Sequence, residues 1–149
     1  MPRYAAERIL IRCPNWIGDM VAATMALRCV RKNYPQARIV LLLQPYVRPV
    51  IENAPWFDDV IECDPRRGAG AVLDVARRLR AERFDLALLL THSFSSALAA
   101  WLGRVSRRVG HARNGRSWLL TDAVPWPGLP PRPEWAPKVR VYGSLLEYL

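Results

Sequence analysis

The sequence predicts an α/β domain, a parallel sheet with helices packed on both of its faces. Two observations carry that expectation. From Ile9 to Gly110, short apolar runs alternate with segments of helical spacing, the order that builds βαβ units. The runs are continuous rather than alternating, as in Val40-Leu41-Leu42-Leu43 and Leu86-Ala87-Leu88-Leu89-Leu90. Continuous runs suit strands covered on both sides. The chain has 149 residues, of which 51% are hydrophobic, enough for one domain with a substantial core.

Ile9-Leu10-Ile11 reads as the first strand, closed by the turn residues Pro14, Asn15 and Gly18. Asp19 to Asn33 follows as a helix, with Met20, Ala23, Ala26, Leu27 and Val30 on one face. Tyr34-Pro35 ends it, because proline cannot continue a helix. Arg38 to Leu43 is a strand, Tyr46 to Asn53 a short helix, and Asp59 to Cys63 a strand. Ala71 to Arg83 is a helix with Val72, Val75, Ala76 and Leu79 inward. Asp85 to Leu90 is a strand, Ser93 to Leu102 a helix, and Arg107 to Gly110 a further short strand. Ile9–Ile11 and Leu86–Leu90 should be central in a sheet of five or more strands.

The character changes between residues 125 and 137, where six of 13 residues are proline. That stretch should be extended and poor in regular structure. Val139 to Leu149 resumes a helical pattern through Val141, Leu145 and Leu149. The expected organisation is a Rossmann-like domain over 1–124, a linker over 125–137, and the start of a connecting helix over 138–149. An apolar helix in that position looks unpartnered. It should leave Val141, Leu145 and Leu149 partly exposed or held by another chain, and the domain prone to association, with a second domain missing.

The net charge is +9, and 20 of the 22 basic residues are arginine. A basic surface attracts phosphate-bearing partners, although arginine-rich usage also follows from codon bias. Cys13, Cys29 and Cys63 match no metal spacing and read as reduced thiols of a cytoplasmic protein. No run of 18 apolar residues predicts a membrane span, and Arg3, Glu7, Arg8 and Arg12 break up any signal-peptide core. P-loop, zinc-protease, EF-hand and dinucleotide-fingerprint patterns are absent.

Open parallel sheets bind ligands at the carboxyl ends of their strands. The first such loop reads Asn15-Trp16-Ile17-Gly18-Asp19. Gly18 permits close backbone approach or positive φ. Asp19 has two readings, a helix N-cap or a carboxylate that takes a proton from a sugar hydroxyl. The loop after the Leu86–Leu90 run reads Thr91-His92-Ser93-Phe94. Ser93 is either a helix cap or, with the adjacent N–H groups, a phosphate or sugar ligand. His92 is a candidate acid, base or donor. A third region gathers Arg104, Arg107, Arg108, Arg113 and Arg116, with no acidic residue between Asp85 and Asp122. It is either a solvated face or a phosphate clamp, which Arg66 and Arg67 would extend.

The residues also resemble a known family. Ile11-Arg12-Cys13-Pro14-Asn15-Trp16-Ile17-Gly18-Asp19-Met20 is similar to the opening segment of the lipopolysaccharide heptosyltransferases, glycosyltransferase family 9, and most similar to the heptosyltransferase II branch. Ser93-Phe94-Ser95-Ser96-Ala97-Leu98 resembles that branch's second signature. Arg108-Val109-Gly110-His111, followed by Leu119-Leu120-Thr121-Asp122, resembles its third. The resemblance runs in order over nearly the whole chain. His92 departs from it, standing where the family more often has Asn.

That resemblance implies the N-terminal half of a GT-B glycosyltransferase. Such a half faces the phosphorylated inner-core lipopolysaccharide acceptor, while a C-terminal domain, absent here, binds the ADP-heptose donor. It implies inverting transfer of heptose with no embedded metal and no cofactor beyond the donor. Asp19 matches the general base. Asn15, Trp16, Gly18, Arg66, Arg67, His92, Ser93, Phe94, Arg113 and Arg116 are the expected acceptor-binding residues. The protein should be cytoplasmic, with peripheral contact at the inner membrane, and inactive as a half. A stand-alone binding module without catalysis is the competing reading. A nucleic-acid-binding domain ranks last, because no aromatic residue interrupts 104–116.

Overall fold

The computed structural model describes residues 2–128 and 136–149. Six strands form one sheet: β1 (Arg8–Arg12), β2 (Arg38–Leu43), β3 (Asp59–Glu62), β4 (Leu86–Leu89), β5 (Arg107–His111) and β6 (Asp122–Val124). Their order is β3-β2-β1-β4-β5-β6, and every neighbouring pair is parallel. β1 and β4 are therefore central, as their unbroken apolar sequences predict. Alternate residues face opposite layers. Ile9, Ile11, Leu86 and Leu88 join one core cluster, while Leu10, Ala87 and Leu89 join the other.

Helix α1 (Ile17–Asn33) covers the first face, and α2 (Gly68–Glu82) and α3 (Phe94–Leu102) cover the second. This is a Rossmann-like sandwich. Gly103, at the end of α3, lies close against α2: a Cβ there would stand 2.7 Å from Leu79 Cβ. The glycine lets the two helices meet at that point.

Besides an earlier start of α2, at Gly68 rather than Ala71, and a 3-10 helix over Pro45–Val50 in place of the short helix expected over Tyr46–Asn53, three elements differ from expectation. The first helix starts at Ile17 rather than Asp19, with Trp16 at its N-cap and no side-chain cap bond. Asp122–Val124 adds an edge strand too short to stand out in the sequence.

The third difference concerns α4 (Lys138–Leu146). Its apolar face is not unpartnered. Val141, Tyr142 and Leu145 are fully buried or nearly so, in the core they share with Met20, Ala23 and Leu27 of α1. The terminus is tied down as well, since Arg3 N–H and Tyr34 Oη–H both donate to Leu149 O. Val141 and Leu145 are thus not exposed as expected, whereas Leu149 is part-exposed, as expected. The same chain supplies the missing partner, in the stripe of α1. Within the expected linker over 125–137, residues 129–135 lie outside the described residues. Among the described residues, no helix is long and apolar enough to cross a membrane.

Candidate functional site

The chain order reverses at β1, which pairs with β2 on one side and β4 on the other. In open α/β sheets that switch point opens a crevice at the carboxyl ends of the strands. Two loops meet there, Cys13–Trp16 after β1 and Leu90–Ser93 after β4. Backbone bonds carry the pairing to the very edge, Leu90 N to Arg12 O at 3.0 Å and Cys13 N to Leu42 O at 2.9 Å.

Arg12 shapes the first loop. It is nearly buried at the end of β1. Its Nη1 donates to Cys13 O at 2.6 Å and its Nη2 to Asn15 Oδ1 at 2.9 Å. A guanidinium holding a loop carbonyl and an amide oxygen sets the direction of Asn15. Sequence reading missed this role. The available signal was a charge closing an otherwise apolar strand.

Trp16 stands 69% exposed beside Ile17 and Gly18. Gly18 does not use a left-handed backbone, and a Cβ built on it would meet nothing within 4 Å. What it provides is open room over the first turn of α1. Asp19 lies in that turn and makes no cap hydrogen bond. Its Oδ2 stands 3.5 Å from Lys138 Nζ at the start of α4, with both side chains part-exposed. The carboxylate is therefore reachable and has a cation beside it. Lys138 was not a candidate from sequence, because 119 positions separate the pair.

In the second loop Ser93 does cap α3, with Ser96 N donating to Ser93 Oγ at 3.3 Å. Phe94 and Ser95 are exposed at the same corner. A hollow beside it is lined by Arg12, Leu42, Cys63, Asp64, Ser93, Ser95 and Ser96. An adjoining hollow shares Cys63 and Asp64 and adds Arg67. Arg66 is exposed on the same short 3-10 turn, and its N–H donates to Asp64 Oδ1. Among the described residues, no group of three or more His, Cys, Asp or Glu side chains is arranged to hold a metal ion. Burial pushes the Cys13 thiol up to about 12 and raises that of Cys63, so neither supplies a thiolate at neutral pH.

The arginine cluster disperses. Arg107 pairs with Asp122 at 2.6 Å across the sheet edge. Arg108 donates to the carbonyls of Leu119 and Val105. Arg116, expected on the acceptor surface, is 0% exposed. Its guanidinium donates to His111 O, Ser93 O and Ser96 Oγ at 3.1 Å each. Its Nη2 finds no hydrogen-bond partner, but the whole side chain is enclosed, which makes it a strut beneath the second loop rather than a surface grip on a phosphate. Arg113 remains near the crevice, lying over the Trp126 ring at 4.2 Å.

His92, His111 and Trp126 form a triangle of edge contacts with centroids 5.0–5.4 Å apart. Burial, reinforced by nearby Arg116, Lys138 and Arg113, pushes His92 down to about 4. Burial, with His92, Arg116 and Arg113 adding to it, pushes His111 down to about 3. Both imidazoles are neutral at physiological pH, so His92 is suited to hydrogen bonding and not to carrying positive charge.

These shifts set a pH dependence. A histidine depressed from 6.5 contributes stability that is fully present above pH 6.5, because the unfolded chain binds the proton first. That stability drains away as pH falls from 6.5 towards 3–4. The melting temperature should therefore fall over that window. The double variant His92→Asn, His111→Asn should flatten the slope. An unchanged slope would contradict the assignment.

No family model matches the chain. Curated sequences do. It is 32% identical over 119 residues to lipopolysaccharide heptosyltransferase 2 of Salmonella typhimurium, a match spanning 78% of this chain and 34% of that protein. It is 30% identical over 118 residues to lipooligosaccharide heptosyltransferase 2 of Haemophilus ducreyi, spanning 77% and 34%. Among solved structures, the Escherichia coli ADP-heptose lipopolysaccharide heptosyltransferase II superposes with a TM-score of 0.77 at 28% identity, covering 93% of this chain and 40% of that one. A glycosyltransferase family 9 structure from Veillonella parvula gives 0.81 at 19% identity, covering 95% and 40%, which supports the fold alone. The chain thus spans about a third of the length of its curated relatives.

Proposed function

The chain belongs to the heptosyltransferases of glycosyltransferase family 9, and from that premise we propose that it forms the acceptor-side half of an enzyme transferring heptose from ADP-heptose to phosphorylated inner-core lipopolysaccharide. The observation that carries this reading is Asp19, a reachable carboxylate at the switch-point crevice with Lys138 beside it. The acceptor hydroxyl approaches over Gly18, and Asp19 takes its proton as the oxygen attacks the anomeric carbon of the donor. The leaving group is ADP, whose nucleotide is held chiefly by a second domain.

In this reading Asn15, oriented by Arg12, and the neutral His92 offer hydrogen bonds to acceptor hydroxyls. Trp16 and Phe94 give apolar cover to sugar rings. Ser93, Arg66, Arg67 and Arg113 meet phosphate or carboxylate groups. Arg116 acts indirectly, by fixing the Ser93 loop from below.

Titration calorimetry with a phosphorylated inner-core fragment tests the binding half of the proposal. The chain should bind the fragment, and binding should weaken as salt rises, because exposed phosphate contacts are screened. Arg113→Ala should weaken it further. Joined to a donor-binding half, the chain should add one heptose mass to the fragment. Binding without that mass gain would favour a binding module without catalysis. No binding at any salt concentration would overturn the acceptor reading.

A further inference from the structure

Along the outer side of α3, three exposed rings touch in a row. Phe94 and Trp118 have centroids 6.1 Å apart, and Trp118 and Trp101 6.2 Å apart. They are 39%, 65% and 44% exposed, Phe94, Trp118 and Trp101 respectively. Single exposed aromatics are ordinary, whereas three in mutual contact make a patch that calls for a partner. The row begins beside the crevice at Phe94 and reaches the far end of α3 at Trp101, away from the edge where a donor domain would sit. There a shallow groove is lined by Trp101, Arg80, Arg104 and Arg108, with no carboxylate in its lining. The Arg108 guanidinium is engaged by backbone carbonyls. Arg80 and Arg104 take part in none of the ion pairs among the described residues. Arg104 also holds a left-handed backbone, φ 56°, just past the helix end, where glycine is the easier residue.

We propose that this face docks the protein on an anionic lipid bilayer, with Trp101 and Trp118 at headgroup depth and Arg80 and Arg104 on lipid phosphates. Indole rings favour the membrane–water boundary, being apolar with one polar edge. Basic residues near an anionic leaflet are drawn to it, and the net charge of +9 adds long-range attraction. A nucleic acid needs open ring faces on which to stack its bases, but these rings are tilted against one another. A second copy would bring the same unpaired arginines face to face. The surface deepens the proposed function in one respect: a lipid-borne acceptor would be delivered beside Phe94. Its test does not depend on turnover.

Flotation with vesicles of phosphatidylglycerol and phosphatidylethanolamine, against pure phosphatidylcholine vesicles, reads the surface directly. The chain should float with the anionic vesicles, not with the neutral ones, and should be released by salt. Trp101→Ser, Trp118→Ser should lower the partition coefficient at least tenfold. Arg80→Gln, Arg104→Gln should also lower it and flatten its salt dependence. Tyr46→Ser, an exposed ring on the turn whose Val47 and Ile51 pack into the core of the other layer, should change nothing. Circular dichroism melts confirm that each variant is folded. The proposal is overturned by equal flotation with both vesicle types, by none, or by unchanged flotation of the folded tryptophan variant. It is equally overturned if the two tryptophans govern only binding of a single-stranded oligonucleotide or self-association in sedimentation. Each of those failures would leave the acceptor-transfer reading standing, because that reading is measured with a soluble fragment.

Discussion

Asp19→Asn, in the chain joined to a donor-binding half, is expected to lower kcat by at least about 100-fold while leaving acceptor affinity nearly intact. A sugar hydroxyl has a very high pKa, so its proton must leave as the glycosidic bond forms. A positioned carboxylate contributes roughly 10²–10⁴-fold to such a step. Asparagine keeps the shape and removes the base. The structure sharpens the control, because Asp19 makes no cap hydrogen bond whose loss would unravel α1. What asparagine loses in the folded state is the part-exposed pairing with Lys138, worth about 1 kcal/mol or less. Turnover per folded molecule and thermal stability, measured on one preparation, therefore separate chemistry from folding. Near-normal kcat would remove Asp19 from the mechanism.

The layout of the sheet was legible because apolar runs and turn residues repeat with little interruption. The Leu86–Leu90 run reads as a doubly covered strand, and it lies at the centre. β6 was not legible, since Asp122-Ala123-Val124 is too short to show a period. The partner of α4 was hidden for a different reason. Periodicity reveals which face of a helix is apolar but not what lies against it, and α1 supplies that surface from more than 100 positions away. For the same reason the first-loop candidates were visible while Lys138 was not. Asn15, Trp16, Gly18 and Asp19 are contiguous, whereas Lys138 reaches Asp19 only through the packing of α4 on α1.

The arginine stretch shows the limit most clearly, and Arg116→Ala gives it a second test with a large expected effect. In sequence Arg116 is one of five arginines free of nearby acids, and a solvent-facing phosphate contact is the natural expectation. Buried, it is a different residue. Its guanidinium joins the end of β5, through His111 O, to the start of α3, through Ser93 O and Ser96 Oγ. Burial lowers its pKa to about 10, which still leaves it charged at pH 7. Of its three acceptors, Ser93 O keeps the hydrogen bond from Ser96 Oγ at 2.8 Å and His111 O keeps that from Arg113 N–H at 2.9 Å, so Ser96 Oγ alone is left without a donor, at about 1–3 kcal/mol. A cavity beside Gly110 and Leu120 adds to the loss. The expected destabilisation is ~2–4 kcal/mol, from the lost hydrogen bonds and the cavity together. Arg116→Lys should recover only part of it, because a single ammonium cannot span β5 and the Ser93 loop as the fork does. Denaturant melts of the two variants read this directly. A surface phosphate grip forecasts the opposite pattern, a change within about 0.5 kcal/mol in stability together with weaker binding of the phosphorylated fragment. Arg113→Ala is the matched comparison: it should cost less stability than Arg116→Ala and more acceptor affinity per folded molecule. If the two variants behaved alike in both measurements, the strut role of Arg116 would be wrong.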